Sequence, residues 1–357
     1  MKKETGQPAA VIDIGTNTAL LLVAIVRDGM LKVLDEAQEI PRLGRSVDRD
    51  RRITPDAIDR LLGALKKLKK RIQDRFGDID VVVTATSAMR DARNRKEVME
   101  ALREELGWNV TLLTGLQEAE ATFIGALATL DPDLFSSEER VSVIDIGGGS
   151  TELACGYYHN ISKGIQPELT RLESLDIGCV RFTERFFPYI SKRNGVEPPL
   201  PPKSESIEGK SNTVDDINRE SASRLLFDPV AVESMRKTVR NNMRQIGLHN
   251  DRTVGVAGTV TSLSWILRAH GKPYRSEMIN GSVILLDEIR RLIERVCRMS
   301  VQELLDTWPV VMEGRADIFL TGLLILEGYL DVFGVDEITV SSGGLRHGML
   351  CKKTISS

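Results

Sequence analysis

The pentapeptide Val-Ile-Asp-Ile-Gly occurs twice, at residues 11–15 and again at residues 143–147. It continues as Thr16-Asn17-Thr18 in the first copy and as Gly148-Gly149-Ser150-Thr151 in the second, and apolar residues resume shortly after each. A β-branched run, a turn of small hydroxyl residues and a second apolar run predict a β-hairpin whose loop carries no bulky side chain. Copies so far apart cannot form a short solenoid repeat. They predict two similar domains, each opening with the same hairpin, and 357 residues suffice for two.

Strands and helices alternate between the two copies. Residues 54–75 place Ile58, Leu61, Leu62, Leu65, Leu68 and Ile72 on one helical face and Lys66, Lys67, Lys69 and Lys70 on the other, with Thr54-Pro55 as N-cap and first helical residue. Residues 79–84 and 110–113 read as strands, and residues 96–106 and 117–130 as helices. This alternation predicts an α/β fold with a mixed sheet, with a first domain at residues 1–132 and a second at 133–357. Residues 191–221, with Pro198-Pro199-Leu200-Pro201-Pro202 and almost no apolar periodicity, read as a flexible surface insertion. Beyond it, residues 229–246, 259–270, 283–296, 301–305 and 316–333 read as helices. Residues 253–258 and 337–341 read as strands. The last helical segment is free to pack back on the first domain.

Composition excludes several classes. With 41% hydrophobic residues, 48 Lys+Arg against 51 Asp+Glu, and no long uncharged apolar run, the chain is neither disordered nor membrane-spanning. The start, MKKETGQPAA, has no apolar signal core or cleavage site, so no export is expected and a cytoplasmic protein is predicted. Cys155, Cys179, Cys297 and Cys351 are scattered and read as thiols rather than a zinc site or disulfide framework.

The chemistry concentrates in the turns. Gly15, Thr16, Asn17 and Thr18, and Gly147, Gly148, Gly149, Ser150 and Thr151, expose backbone N–H groups without obstruction, a concave array suited to phosphate oxygens. Asp13 and Asp145 end the strands before them and, with Glu152, could hold a hard divalent cation. A third glycine turn puts Gly258 and Thr259 at a helix start, where an anion is favoured. Arg42, Arg45, Arg90 and Arg93 offer planar forks for phosphate. Glu118 stands in the first turn of a helix after a strand, pointing toward the carboxyl edge of the sheet. His347 follows the last glycine turn, and no Ser-His-Asp set can be assembled.

This constellation resembles the exopolyphosphatase / guanosine pentaphosphate phosphohydrolase family over nearly the whole chain. AVIDIGTNTALLLVA, VIDIGGGSTELA and VGVAGTVTSL are similar to its three phosphate motifs. TGLQEAEATFIGAL resembles the segment with the catalytic glutamate, which falls on Glu118. TATSAMRDARN resembles the stretch with a phosphate-contacting arginine, here Arg90. GRADIFLTGLLIL and SSGGLRHGML resemble the closing segment, from which Ser342 and His347 depart at its usual Asp and Glu. The resemblance implies two actin-like domains, ribonuclease H-like and of the sugar kinase and heat-shock ATPase superfamily, around an interdomain cleft. It implies that backbone amides of the turns grip a terminal phosphate, and that Mg²⁺ (or Mn²⁺) sits near Asp13, Asp145 and Glu152. It further implies that Glu118 activates water, and that Arg90 and Arg93 stabilise the equatorial oxygens. The partners implied are inorganic polyphosphate or guanosine pentaphosphate, with no DNA and no membrane; a homodimer is left open. The length resembles the short, two-domain form, which implies short rather than long polyphosphate chains. An ATP-dependent kinase and a non-catalytic nucleotide sensor of the same superfamily are the competing readings. The net charge of −3 is expected to average over an acidic surface and a positive cleft built by the first-domain arginines and the lysines at 66–70.

Overall fold

The structure, a computed structural model, describes residues 6–27, 30–136, 138–161, 164–191, 227–248 and 251–355. The segment read as a flexible insertion lies outside the described residues from position 192 on. Both hairpins form. Strand β1 (Ala9–Ile14) pairs antiparallel with β2 (Ala19–Arg27), which pairs with β3 (Met30–Glu39). Strands β4 (Asp80–Ala85) and β5 (Val110–Leu112) extend the other side in parallel, giving the order β3-β2-β1-β4-β5. The second sheet repeats this plan with β6 (Arg140–Ile146), β7 (Thr151–Ile161), β8 (Gly164–Leu175), β9 (Arg252–Val256), β10 (Val283–Leu285) and β11 (Glu337–Val340). Its order is β10-β11-β9-β6-β7-β8. The shared order, hairpin plus third antiparallel strand on one side and two parallel strands on the other, with β10 added antiparallel at the edge of the second sheet, makes the molecule two actin-like α/β units.

On the first sheet lie α1 (Val47–Asp50), α2 (Pro55–Phe76), α3 (Ser87–Asp91) and α4 (Arg95–Leu106). The Thr54 hydroxyl caps α2 by accepting from Ala57 N, Pro55 opens it, and Leu61, Leu65, Leu68 and Ile72 are buried against Ile12, Leu21 and Val23. Helix α5 (Gly115–Ala128) starts at a reciprocal cap between Thr114 and Gln117. Helices α6 (Cys179–Phe186), α7 (Pro188–Ser191), α8 (Pro229–Met243), α9 (Ala257–Ser264), α10 (Leu286–Val296), α11 (Val301–Thr307), α12 (Pro309–Met312) and α13 (Phe319–Phe333) complete the second unit. Helix α13 is apolar nearly all round and is buried along its length, as that pattern requires.

The two units exchange helices. Ala119, Phe123, Ala126 and Leu127 of α5 pack against Val141, Val143, Val254 and Val256 of the second sheet. In return α14 (Leu345–Ile355), the last helix, sets Leu350 against Val11, Leu22 and Ala24 of the first. The two helices meet at glycines: a Cβ on Gly348 would stand 1.7 Å from Ala121 O, and one on Gly125 would stand 1.9 Å from Gly344 O.

Two readings differ from the structure. Residues 283–285, expected in the helix that follows, form an edge strand in which Ile284 is buried opposite Ile338 while Val283 and Leu285 are exposed. That two-residue alternation outweighs helical periodicity, and the Glu288 carboxylate accepts from Leu285 N to start the helix one residue later. The strand at residues 253–258 stops at Val256, because Ala257 takes a left-handed φ of 66° and turns the chain directly into α9.

Candidate active site

Asp13 and Asp145 occupy matching places, one residue before the last of β1 and of β6. The turns that follow are built alike. In the first, Gly15 N donates to Thr18 O (2.9 Å), while Thr16 O accepts from Gly44 N (2.7 Å) and Asn17 O from Arg42 N (3.0 Å). In the second, Gly147 N donates to Ser150 O, and the loop carbonyls are taken up by the start of α6: Gly147 O by Cys179 N (3.0 Å), Gly148 O by Val180 N (2.8 Å) and Gly149 O by Arg181 Nε (2.7 Å). The first-turn amides of α6, which have no acceptor inside their own helix, are thereby satisfied. A trans peptide points its N–H opposite its C=O, so tying the carbonyls back turns the amides outward. The amides of Thr16, Asn17, Thr18, Gly148, Gly149 and Ser150 donate to no protein acceptor among the described residues. All six residues line one cavity of about 1620 Å³. The turns also touch: a Cβ on Gly148 would meet Thr16 Cβ at 2.8 Å, and one on Gly149 would meet Ser87 Oγ at 2.4 Å.

Asp13, Glu118 and Asp145 line the same cavity. The Thr84 hydroxyl reaches Asp13 at 3.4 Å and the Thr122 hydroxyl reaches Asp145 at 3.3 Å. Burial pushes Asp13 up to about 7, with Asp145 adding to the rise and Arg346 and Thr84 opposing it. Burial likewise pushes Asp145 up to about 6, against the Thr122 hydrogen bond. Glu118 is raised further, first by burial and then by Glu152, Asp13 and Asp145, while Arg90 pulls it down. Glu152 is raised by burial and by Asp145. Carboxylates crowded in this way favour a proton or a cation in their midst.

Five expected ligands take other places or partners. Glu152 is buried behind the second turn rather than lining the cavity; Ser174 Oγ donates to its Oε1 (2.8 Å), and its Oε2 is buried with no partner among the described residues. The Thr151 hydroxyl donates to Ile177 O, 2.6 Å away. Arg90 does not line the cavity either: it lies under Glu118, donating to its Oε2 (3.2 Å) and to Leu113 O (3.0 Å). Arg93 is exposed and outside the cavity lining. Asn17 lines the cavity, but its side-chain amide donates to Gly314 O. Gly258 and Thr259 line the cavity with the two turns.

The cations of the cleft come from elsewhere than expected. Arg42 pairs with Asp317 (2.8 Å), and Lys66, Lys67 and Lys70 pair with Glu105, Glu39 and Asp74 on the solvent face of α2. The lining instead holds Lys272, Arg275, Arg315 and Arg346. Arg315 is bound only by neutral acceptors, Gly258 O (2.9 Å), Ser262 Oγ (2.9 Å) and Gln38 Oε1 (3.2 Å), and no carboxylate pairs with it among the described residues. Its signal in the sequence was the segment GRADIF, as that of Arg346 was GGLRHG. His347 also lines the cavity; burial pushes it down to about 3, so it is neutral, and its Nδ1 has no partner among the described residues.

Among the described residues no three His, Cys, Asp or Glu side chains are spaced to hold a metal ion by themselves. The pair Asp13 and Asp145, with the unpartnered Glu152 Oε2 behind, suits Mg²⁺, which takes one or two carboxylates and completes its shell with water and phosphate oxygens. No described helix is long and apolar enough to cross a membrane.

Comparison with known proteins matches the description "Ppx/GppA phosphatase family" to residues 22–193 and 213–356. A bifunctional 3-dehydroquinate synthase/phosphatase of Fusobacterium nucleatum subsp. nucleatum is 30% identical over 343 residues, covering 93% of this chain and 44% of that protein. The chain thus spans less than half the length of this curated relative. Among solved structures, a Ppx/GppA family member from Aquifex aeolicus is similar at a TM-score of 0.69 and 27% identity, covering 98% of both chains. An exopolyphosphatase from Cytophaga hutchinsonii has the same fold at a TM-score of 0.73 and 24% identity, again over 98% of both.

Proposed function

The chain belongs to the Ppx/GppA phosphatase family, and from that premise we propose that it hydrolyses the terminal phosphoanhydride bond of inorganic polyphosphate, releasing orthophosphate. Guanosine pentaphosphate, cleaved to the tetraphosphate, is the alternative substrate. The observation that carries the reading is the set of six unpaired turn amides facing one cavity beside Glu118. The amides grip equatorial oxygens of the terminal phosphate. Charge-balancing help comes from Arg315, a cation without a carboxylate partner among the described residues. Glu118 Oε accepts a proton from a water as the water oxygen attacks phosphorus and the bond to the bridging oxygen breaks. Arg90, hydrogen-bonded to Glu118, holds the carboxyl in place and favours its charged form. Mg²⁺ or Mn²⁺, held by Asp13 and Asp145 with Glu152 behind, would supply neutralisation of phosphate charge when bound. Positioning and electrostatics thus supply most of the rate, as in phosphoryl transfer generally.

Lys272, Arg275 and Arg315 offer the rest of the cavity cations for further phosphates, interspersed with the carboxylates of Glu36, Glu39, Glu277 and Glu313. Orthophosphate release measured side by side from polyphosphate, guanosine pentaphosphate and ATP, each with Mg²⁺, tests the reading. Turnover of ATP alone would overturn it in favour of a kinase-like site. Faster release from guanosine pentaphosphate than from polyphosphate would select the alternative substrate.

A further inference from the structure

Arg181, in the first turn of α6, is held from both sides of the cleft. Its Nε donates to Gly149 O at 2.7 Å, within the second phosphate turn. Its Nη1 pairs with Asp48 of α1, and its Nη2 with Asp91 of α3 at 2.5 Å; both carboxylates belong to the first unit. Asp176 stands 3.7 Å away and is largely exposed. The Arg181 side chain is 11% exposed and that of Asp91 18%, so this is a shielded, charge-assisted contact, while Asp48 closes the fork from the surface side at 39% exposed. Other links cross between the units, among them Asn17 to Gly314 O, Arg42 to Asp317, Ser46 N to Glu184, Arg315 to Gln38 and Arg346 to Leu21 O, but none of these holds a carbonyl of the glycine turn. Arg181 is outside the cavity lining, so it does not touch substrate there.

We propose that Arg181 is a positioning residue that couples closure of the two units to the orientation of the second phosphate turn. The proposal rests on the reading of that turn as a phosphate cradle. A guanidinium is a rigid planar fork, so Asp48 and Asp91, by fixing its two Nη atoms, also fix where Nε points. Nε sets the Gly149 carbonyl, and the planar peptide then sets the Ser150 N–H on the opposite side. When the units part, the two carboxylates leave the fork and the turn loses its alignment; when they close, the cradle is aligned. Substrate binding and closure thereby favour one another, a coupling that typically amounts to 5–150-fold in affinity.

Two variants separate the halves of this linkage. D48N/D91N keeps the Nε bond to Gly149 and removes the charge partners across the cleft. It is expected to raise KM for polyphosphate about tenfold, hold kcat within about threefold, and increase the radius of gyration in solution scattering. R181Q loses the grip on the turn and is expected to lower kcat about 10²-fold, the cost of misplacing a reacting group by about 1 Å. A merely structural role would lower the melting temperature of both variants and leave kcat, KM and scattering as in the wild type; that result overturns the proposal. If the wild type releases no phosphate from any substrate, the functional reading fails, and calorimetric binding of tripolyphosphate with Mg²⁺ carries the test instead. Binding weakened about tenfold in both variants then supports the coupling, and unchanged binding in both overturns it. Absence of tripolyphosphate binding to the wild type would overturn the proposal together with the cradle reading on which it rests.

Discussion

Gly178 immediately precedes α6 with an extended backbone (φ −139°), a conformation open to any residue, so the case for glycine there is steric alone. A Cβ at this position would stand 2.4 Å from Gly148 O and 2.4 Å from Gly149 C, both backbone atoms of the second phosphate turn. Ordinary contact begins near 3.4 Å, so Gly178→Ala must push the turn away by about 1 Å. The displacement works against three hydrogen bonds, from Cys179 N, Val180 N and Arg181 N to the carbonyls of Gly147 and Gly148. Overpacking of this kind costs about 1–3 kcal/mol, which in a protein of this size lowers the melting temperature by a few degrees. The effect on activity should be larger in proportion, because misplacing a reacting group by about 1 Å costs about 10²-fold in rate. The assay is initial-rate phosphate release alongside a thermal melt. Gly63→Ala serves as the control: Gly63 is exposed in the middle of α2 with nothing within 4 Å of the new Cβ, and alanine there should stabilise by about 0.5–1 kcal/mol with activity unchanged. A folded Gly178→Ala protein with kcat within threefold of the wild type would refute the argument that the tied-back carbonyls set the amides.

Glu118→Gln should lower kcat by about 10²–10⁴-fold with no loss of thermal stability, since it removes a buried carboxyl crowded by other acids; near-normal turnover would remove Glu118 from its role as base. Asp13 and Asp145 have folded-state values near 7 and 6, above those of an unfolded chain. The stability they contribute is therefore complete below about pH 4 and lost as pH rises through 6 to 7. The melting temperature of the metal-free protein should fall over that interval, and Mg²⁺ should raise it more at pH 8 than at pH 6, because ligating carboxylates must be deprotonated. A triple replacement of Lys66, Lys67 and Lys70 by alanine should leave polyphosphate turnover and the melting temperature nearly unchanged, since these exposed side chains are spent on surface pairs.

The repeated pentapeptide carried the architecture because its two demands coincide: β-branched residues specify the central strand, and the small turn specifies the hairpin. Helix α2 was equally legible, since Thr54, Pro55 and the leucine spacing agree on one answer. Strands β3 and β8 were harder to see, because both carry charged residues and gain their order by pairing with β2 and β7. Of the site, the turns and Glu118 could be read locally. The cations could not, because the role of an arginine depends on which carboxylate the fold places beside it. Arg42 finds Asp317 across 275 positions of sequence, while Arg315 finds only neutral acceptors. The flanking motifs GRADIF and GGLRHG were visible, but their arginines reach the cleft only after α13 and α14 have been laid down.

The exchange of α5 and α14 has a consequence for biosynthesis. The outer faces of Val11, Leu22 and Ala24 are covered by Leu350. A nascent chain leaving the ribosome therefore holds its first hairpin with one side bare until Leu350 has been made. Loop-closure entropy over such a separation makes this docking a late event. During that interval the bare face is the natural target for a chaperone, and a ribosome stalled before Leu345 should present a nascent chain far more sensitive to protease at β1 and β2 than the full-length protein.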